Sequence, residues 1–278
     1  MDLNHAILYA QLVNAAYAVP PNDTSNHAGQ TITAGTSRFD IVTTIFANDL
    51  STDVNPERGK ARVSIGLVLQ ASGGGDVVIA IRGTEGIQEW IHDAQFLLVP
   101  CTFAQSSGSV EDGFNSMYLS LRVGLDNASP TVTDFMKKQQ LNRPITSVTI
   151  CGHSLGGALA TLLALDVAVN TPFFPIAYTY ASPRTGDPQF VRNYNHLVPN
   201  TIRIANRLDV VPNLPFPPLY EHVLGEFPLN PAKVTLFPFS VTPLLKLDVV
   251  CLHILTSYLH LLGQLAGQDF PLDGKCEP

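Results

Sequence analysis

Between residues 147 and 157 the chain reads SVTICGHSLGG: an apolar, β-like run that ends in Gly152-His153-Ser154-Leu155-Gly156 and passes into the helical run GALATLLALDVAV. A serine at the centre of G-x-S-x-G, between a strand and a helix, suits nucleophilic attack on a carbonyl carbon. The glycines on either side of it leave room where strand and helix cross, so the turn is expected to lift the Ser154 hydroxyl clear of the sheet. Ser154 also stands at a helix N-terminus, where free N–H groups and the helix dipole favour developing negative charge. A plain glycine-rich turn with an incidental serine is the alternative, and the flanking strand and helix patterns argue against it.

A serine hydroxyl needs a base, and the base needs an acid that holds its tautomer. With the order nucleophile, acid, base, the candidates lie downstream of Ser154. Asp209 follows the apolar run TIRIANR and precedes VVPNLP, at the C-terminal end of a strand, and is the candidate acid. Asp187 in TGDPQF reads instead as a helix N-cap before Pro188, Asp166 as a solvated residue of the helix after Ser154, and Asp248 as a weaker alternative. For the base, His253 at the start of the closing helical run LHILTSYLHLLGQLAG comes first, with His222 in the proline-rich LYEHVLGE as its rival. His260, inside the closing helix, reads as a packing residue, and His196 ends a helix near its negative pole.

A tetrahedral oxyanion needs donors, one of them the N–H of the residue after the nucleophile, Leu155. The other is expected after an earlier strand: DVVIAIRGTEGIQEWIHD gives a strand, the turn Arg82-Gly83-Thr84 and a short helical stretch. Thr84 offers both its N–H and its hydroxyl there; a simple helix cap is the alternative. In the stretch 86–95, Ile87, Trp90 and Ile91 share one helical face, which either packs as core or covers the site in water and swings onto an interface. Its place beside the oxyanion turn favours a cover.

These groups need a frame. FDIVTTIFA, ARVSIGLVLQ, DVVIAIRG, ITSVTIC, PIAYTYAS and TIRIANR read as strands, and they alternate with helical runs, the rhythm of a sheet flanked by helices within one domain over residues 1–278. Leu3, Ile7, Leu8, Leu12 and Ala15 recur at helical spacing and predict a first helix that ends before Pro20-Pro21. The same stretch lacks the basic start of a leader, so the compartment stays open: cytoplasmic as written, or secreted once a leader is removed. Prolines from Val210 to Pro243 predict ordered loops over one end of the sheet. With a net charge of −7 and no Lys/Arg cluster, nucleic acid is excluded as a partner, and no apolar run is long enough to span a bilayer. The four cysteines show no C-x-x-C pattern, so no metal is expected. They read as reduced and structural, Cys151 as a buried thiol, with Cys251 and Cys276 able to clip the C-terminus under oxidising conditions.

Together, VIAIRGTEGIQEWIHDAQF, DGF, VTICGHSLGGALATLLALD, TYASPRTGDPQF and IRIANRLDVVPNLP resemble the class 3 lipase family, the fungal-type triacylglycerol lipases and their plant and bacterial relatives, over roughly residues 77 to 265. The closing CLHILTSYLHLLG is similar to the plant and bacterial branch, in which the histidine several residues before Tyr-Leu-His is the base. The resemblance implies an α/β-hydrolase with a mostly parallel central sheet flanked by helices and a short helical lid. It implies Ser154 as nucleophile, Asp209 as acid and His253 as base, Thr84 and Leu155 as the oxyanion hole, and a lid carrying Ile87, Trp90 and Ile91. The implied activity is hydrolysis of triacylglycerols and related fatty-acyl esters at an oil–water interface, without cofactor; a monomer is expected. A soluble or phenolic esterase or a phospholipase A1 on the same residues is the alternative, and an inactive lipid-binding protein a remote one. One departure is Glu111-Asp112-Gly113-Phe114, where fungal members usually carry a histidine shortly before Gly-Phe.

Overall fold

The computed structural model describes residues 1–48, 61–84, 96–138, 143–230 and 250–276. In chain order the elements are α1 (Leu3–Tyr17), β1 (Thr31–Ala34), β2 (Ser37–Asn48), β3 (Arg62–Ala71), β4 (Asp76–Ile81), β5 (Leu98–Pro100), β6 (Ser109–Glu111), α2 (Asp112–Ser120), α3 (Val132–Lys137), β7 (Ser147–His153), α4 (Leu155–Asn170), β8 (Ile176–Tyr180), α5 (Pro188–Leu197), β9 (Thr201–Asn206), β10 (Glu226–Leu229) and α6 (Leu255–Ala266). Eight strands form one sheet in the order β1-β2-β3-β4-β7-β8-β9-β10. From β4 onward every neighbouring pair is parallel, while β1 to β4 form an antiparallel meander at one edge.

Alternation along the strands divides the core. In β4, Val77, Ile79 and Ile81 join a cluster with α2 to α5, whereas Val78 and Ala80 join one with α1 and α6 on the opposite face. β7 is buried along nearly its whole length, as befits a parallel strand covered on both faces. Behind it, α4 buries apolar residues around most of its circumference because it is packed between the sheet and α2, α3 and α5. On the far face α1 meets α6, and the buried Tyr180 hydroxyl donates to the Ala6 carbonyl at 2.5 Å, pinning α1 to β8.

The six strands expected from sequence are present as β2, β3, β4, β7, β8 and β9, and Asp187 caps α5 through the Phe190 amide at 2.7 Å. The short β1, β5, β6 and β10 were not foreseen. β10 contains Pro228, which a strand tolerates at a sheet edge, where an N–H is dispensable. The stretch carrying Ile87, Trp90 and Ile91 lies outside the described residues, as does the proline-rich segment 231–249.

Three readings change. Asp166 is no solvated face residue: its carboxylate accepts from the Tyr118 hydroxyl, from Thr133 at 2.8 Å and from Asn170 at 2.6 Å, tying α2 and α3 to α4. Glu111, in place of the fungal histidine, caps α2 by accepting the Phe114 N–H at 2.8 Å, and its own N–H bonds to Thr185. Finally, Cys251 and Cys276 form a disulfide, while Cys101 and Cys151 stay free and buried. The favoured reduced reading therefore fails for that pair: the tail after α6 folds back to bring the two sulfurs together, a return that spacing alone does not disclose. No described helix is long and apolar enough to cross a membrane.

The disulfide closes a loop with a sequence separation of 25 residues, and in chain-entropy terms such a crosslink stabilises by about 2–4 kcal/mol. Reductant should lower the urea midpoint of the native chain to that of Cys251→Ser, and the variant's own midpoint should not respond to reductant.

Candidate active site

Ser154 sits where the apolar run of β7 must reverse into α4 within one residue. Its backbone is forced to φ 58° and ψ −127°, a left-handed region costly for any residue but glycine. The surroundings hold it there: its N–H donates to Tyr180 at 2.9 Å, and its carbonyl accepts from Gly157 at 2.8 Å. A Cβ on Gly152 would lie 2.1 Å from the Gly156 carbonyl oxygen, and one on Gly156 2.4 Å from that of Ile81. Strand and helix therefore cross only with glycine at both positions. Ser154 directly follows the C-terminal end of β7, and it is only 1% exposed.

Three sequence-distant side chains meet at this point. The Ser154 hydroxyl lies 2.8 Å from His253 Nε2, and His253 Nδ1 lies 2.8 Å from Asp209 Oδ2. All three residues are buried. Because Asp209 only accepts when ionised, Nδ1–H donates to it, which leaves the Nε2 lone pair facing the serine O–H. Asp209 ends the turn after β9, as its place in the sequence suggested. Its second oxygen accepts the Val211 amide at 3.0 Å, so both oxygens of the buried carboxylate are engaged. His253 closes a short helical turn, after which Ile254 breaks to extended backbone before α6 begins, and that break aims the ring at Ser154.

The rival histidine goes elsewhere. His222 Nε2 donates to the Pro212 carbonyl at 2.5 Å, and burial, followed by the nearby Arg203, lowers its pKa to about 3. It staples the proline-rich loop as a neutral ring. His260 bonds to the Phe270 carbonyl at 2.7 Å and holds the tail against α6, and Asp248 lies outside the described residues.

Leu155 opens α4, so its N–H belongs to the first turn, whose amides have no carbonyl earlier in the helix to bond. Thr84 follows Gly83, whose added Cβ would stand 2.9 Å from Ser154 Cβ, so the turn after β4 lies against the nucleophile. Two contributors escape sequence reasoning. The Tyr258 hydroxyl donates to Asp209 Oδ2 at 2.8 Å and accepts the Asn206 amide at 3.0 Å. Burial, then the Asp209 charge, pushes the phenol's pKa far up, so it remains a donor. Asn206 also donates from its side chain to the Leu252 carbonyl at 3.0 Å, tying β9 to the residue before His253. The Tyr-Leu-His triplet was visible in the sequence, but no spacing rule sends its tyrosine to the acid.

A serine with an aligned imidazole and a buried, fully bonded carboxylate can form and resolve an acyl-enzyme. The chain as a whole is similar to known proteins. The model of the class 3 lipase family matches residues 78–218. Phospholipase A1-IIgamma of Arabidopsis thaliana is 33% identical over 221 residues, 70% of this chain and 50% of that protein. Phospholipase A1-II 1 of Oryza sativa subsp. indica is 37% identical over 155 residues, 50% of this chain and 39% of that one. The chain thus spans about half the length, or less, of these curated relatives. Among solved structures, the Rhizomucor miehei lipase propeptide complex superposes with a TM-score of 0.59 at 25% identity, covering 81% of this chain and 68% of that chain. The mono- and diacylglycerol lipase from Aspergillus oryzae superposes at 0.62 with 22% identity, covering 82% and 79%, a likeness of fold.

His222 supplies a pH test. An unfolded histidine takes up its proton near 6.5, the folded His222 only near 3, so between those values acid favours the unfolded chain. The thermal midpoint should fall as pH drops from 7 to 4, and His222→Gln, which keeps a donor for Pro212, should show a shallower fall by calorimetry.

Proposed function

The chain belongs to the class 3 lipases, and on that footing we propose that it is a serine carboxylic ester hydrolase acting on triacylglycerols and related fatty-acyl esters. The observation that carries this reading is the unbroken hydrogen-bonded path from Ser154 through His253 to Asp209. Ser154 Oγ attacks the ester carbonyl carbon while His253 Nε2 takes its proton. The resulting oxyanion is received by the N–H groups of Leu155 and Thr84, the first reinforced by the dipole of α4. Asp209 keeps Nδ1 protonated and faces the imidazolium as it forms. His253 then protonates the leaving alcohol, water attacks the acyl-serine with the same base, and the fatty acid departs. The path requires no cofactor.

The acidic surface and apolar residues exposed near the acid's loop, Leu208, Phe216 and Leu219, suit contact with an uncharged lipid surface. A second reading, phospholipase A1 activity on the same residues, is favoured by the plant relatives, which are phospholipases A1. Emulsified triacylglycerols, phosphatidylcholine vesicles and soluble p-nitrophenyl esters of graded chain length, assayed side by side, separate the two readings from each other and from a soluble esterase.

Ser154→Ala and His253→Ala should each lower kcat by roughly 10⁴-fold or more, while His222→Gln stays within about threefold of the native rate. Undiminished hydrolysis by Ser154→Ala would remove the reading, and loss of turnover in His222→Gln alone would reassign the base.

A further inference from the structure

A tyrosine more than a hundred residues from the nucleophile in sequence touches the turn that carries Thr84 and the residue that precedes Ser154. Tyr17 ends α1. Its hydroxyl accepts the Gly83 N–H at 2.8 Å and lies 2.8 Å from His153 Nδ1. At the other side of that ring, His153 Nε2 lies 2.7 Å from the backbone carbonyl of His253. The phenol ring meets the His153 imidazole edge-on at 5.8 Å, and the Arg82 guanidinium stands 5.3 Å from its centroid.

The proton positions along this path follow from chemistry. A carbonyl oxygen only accepts, so His153 Nε2 carries hydrogen. His153 is buried beside His253, and burial first, then that neighbour, holds its pKa well below the ordinary value. The ring is therefore neutral, Nδ1 is a bare lone pair, and the Tyr17 O–H must donate to it. The path then runs one way: Gly83 N–H to Tyr17 O, Tyr17 O–H to His153 Nδ1, His153 Nε2–H to the His253 carbonyl. Aligned bonds of this kind strengthen one another in a poorly solvated setting. Space is equally tight, since a Cβ on Gly83 would meet the Tyr17 hydroxyl at 2.7 Å and the His153 carbonyl oxygen at 2.9 Å.

We propose that Tyr17 is a positioning residue for the reaction, acting through His153 to hold the oxyanion turn and the main chain of the base in mutual register around Ser154. The inference rests on the ester-hydrolase reading. The His253 ring is oriented by Asp209, but its backbone is held by His153; the turn bearing Thr84 is held by the same phenol. One hydroxyl thus sets the separation between the group that takes the serine proton and the group that receives the oxyanion. Errors in that separation weaken the transition state while leaving ground-state binding alone.

The test is Tyr17→Phe in the full chain, assayed on a soluble p-nitrophenyl ester beside the native protein, Ser154→Ala, and Tyr9→Phe. Tyr9 also lies on α1 and bonds to the Thr149 hydroxyl at 3.4 Å, away from the site, so it controls for loosening of the helix. Tyr17→Phe should lower kcat by roughly 10- to 100-fold with KM within about twofold, and weaken a trifluoromethyl-ketone inhibitor that adds to serine by a similar factor. Tyr9→Phe should lower the melting temperature without moving kcat. His153→Gln, which can still donate to His253 and accept from Tyr17, should retain more activity than His153→Leu, and adding Tyr17→Phe to His153→Leu should cost little more. A Tyr17→Phe protein that matches an active native chain in kcat overturns the inference alone, as do fully additive losses in the double variant. A native chain that hydrolyses no ester, or an active Ser154→Ala, takes the reading and the inference down together.

Discussion

The left-handed backbone of Ser154 is the constraint from which the rest of the site follows. Such a conformation costs a non-glycine residue on the order of 1–3 kcal/mol and survives only where surrounding structure over-determines it. Here the determination comes from both sides: the parallel pairing of β7 with β4 and β8 fixes the strand to its last residues, and α4 is locked into the sheet from its first turn. Relaxing Ser154 would require strand and helix to part, with loss of packing that far outweighs the strain. The same tight crossing dictates glycine at 152 and 156 and brings the turn after β4 against the serine. Ser154 and the turn bearing Thr84 are therefore neighbours because of backbone packing, before any side chain is considered.

Keeping charge scarce is the second requirement. Asp209 is the buried carboxylate of the site, and three donors meet it: His253, Tyr258 and the Val211 amide. An unpaired carboxylate there would cost several kcal/mol, and a second positive charge beside His253 would oppose formation of the imidazolium. The other rings nearby stay neutral by burial: His153 against His253, and Tyr258 against Asp209. They contribute direction rather than charge, which explains how so many titratable groups are packed around one base without competing for its proton.

Much of this was legible from residue order. The G-x-S-x-G turn between an apolar run and an alanine-rich helix identifies its own geometry, and Asp209 after a strand falls where a sheet's C-terminal edge must lie. Short, nearly continuous apolar runs recover the long strands, because a sheet covered by helices on both faces needs apolar side chains at successive positions. What escaped depends on encounters between distant segments. Asp166 reads as a surface acid until α2 and α3 deliver Tyr118 and Thr133 to it. His253 comes first by order with His222 as its rival, and what separates them is the pairing of His253 with Ser154 and Asp209 while the carbonyl of Pro212 takes His222. Glu111 looks like a lost histidine until it is seen capping a helix, and Cys251 and Cys276 pair because the tail turns back past α6.

α1 and α6 both reach Ser154 for the same topological reason. Five parallel strands put all their C-terminal ends at one edge, and the nucleophile rises there from the middle of the sheet with α4 behind it on one face. The base must approach from the opposite face, since α4 and its partners already fill the first. That face is covered by α1 and α6, the first and last helices, packed on each other. His253 enters at the start of α6, and Tyr17 at the end of α1; the two helices run past one another so that these termini converge at the Ser154 edge. The Cys251–Cys276 disulfide secures the segment just before His253, and the Tyr180 hydroxyl secures α1 through Ala6. The core of the sheet thus gives Ser154 a rigid bed, and α1 and α6 bring Tyr17 and His253 to it.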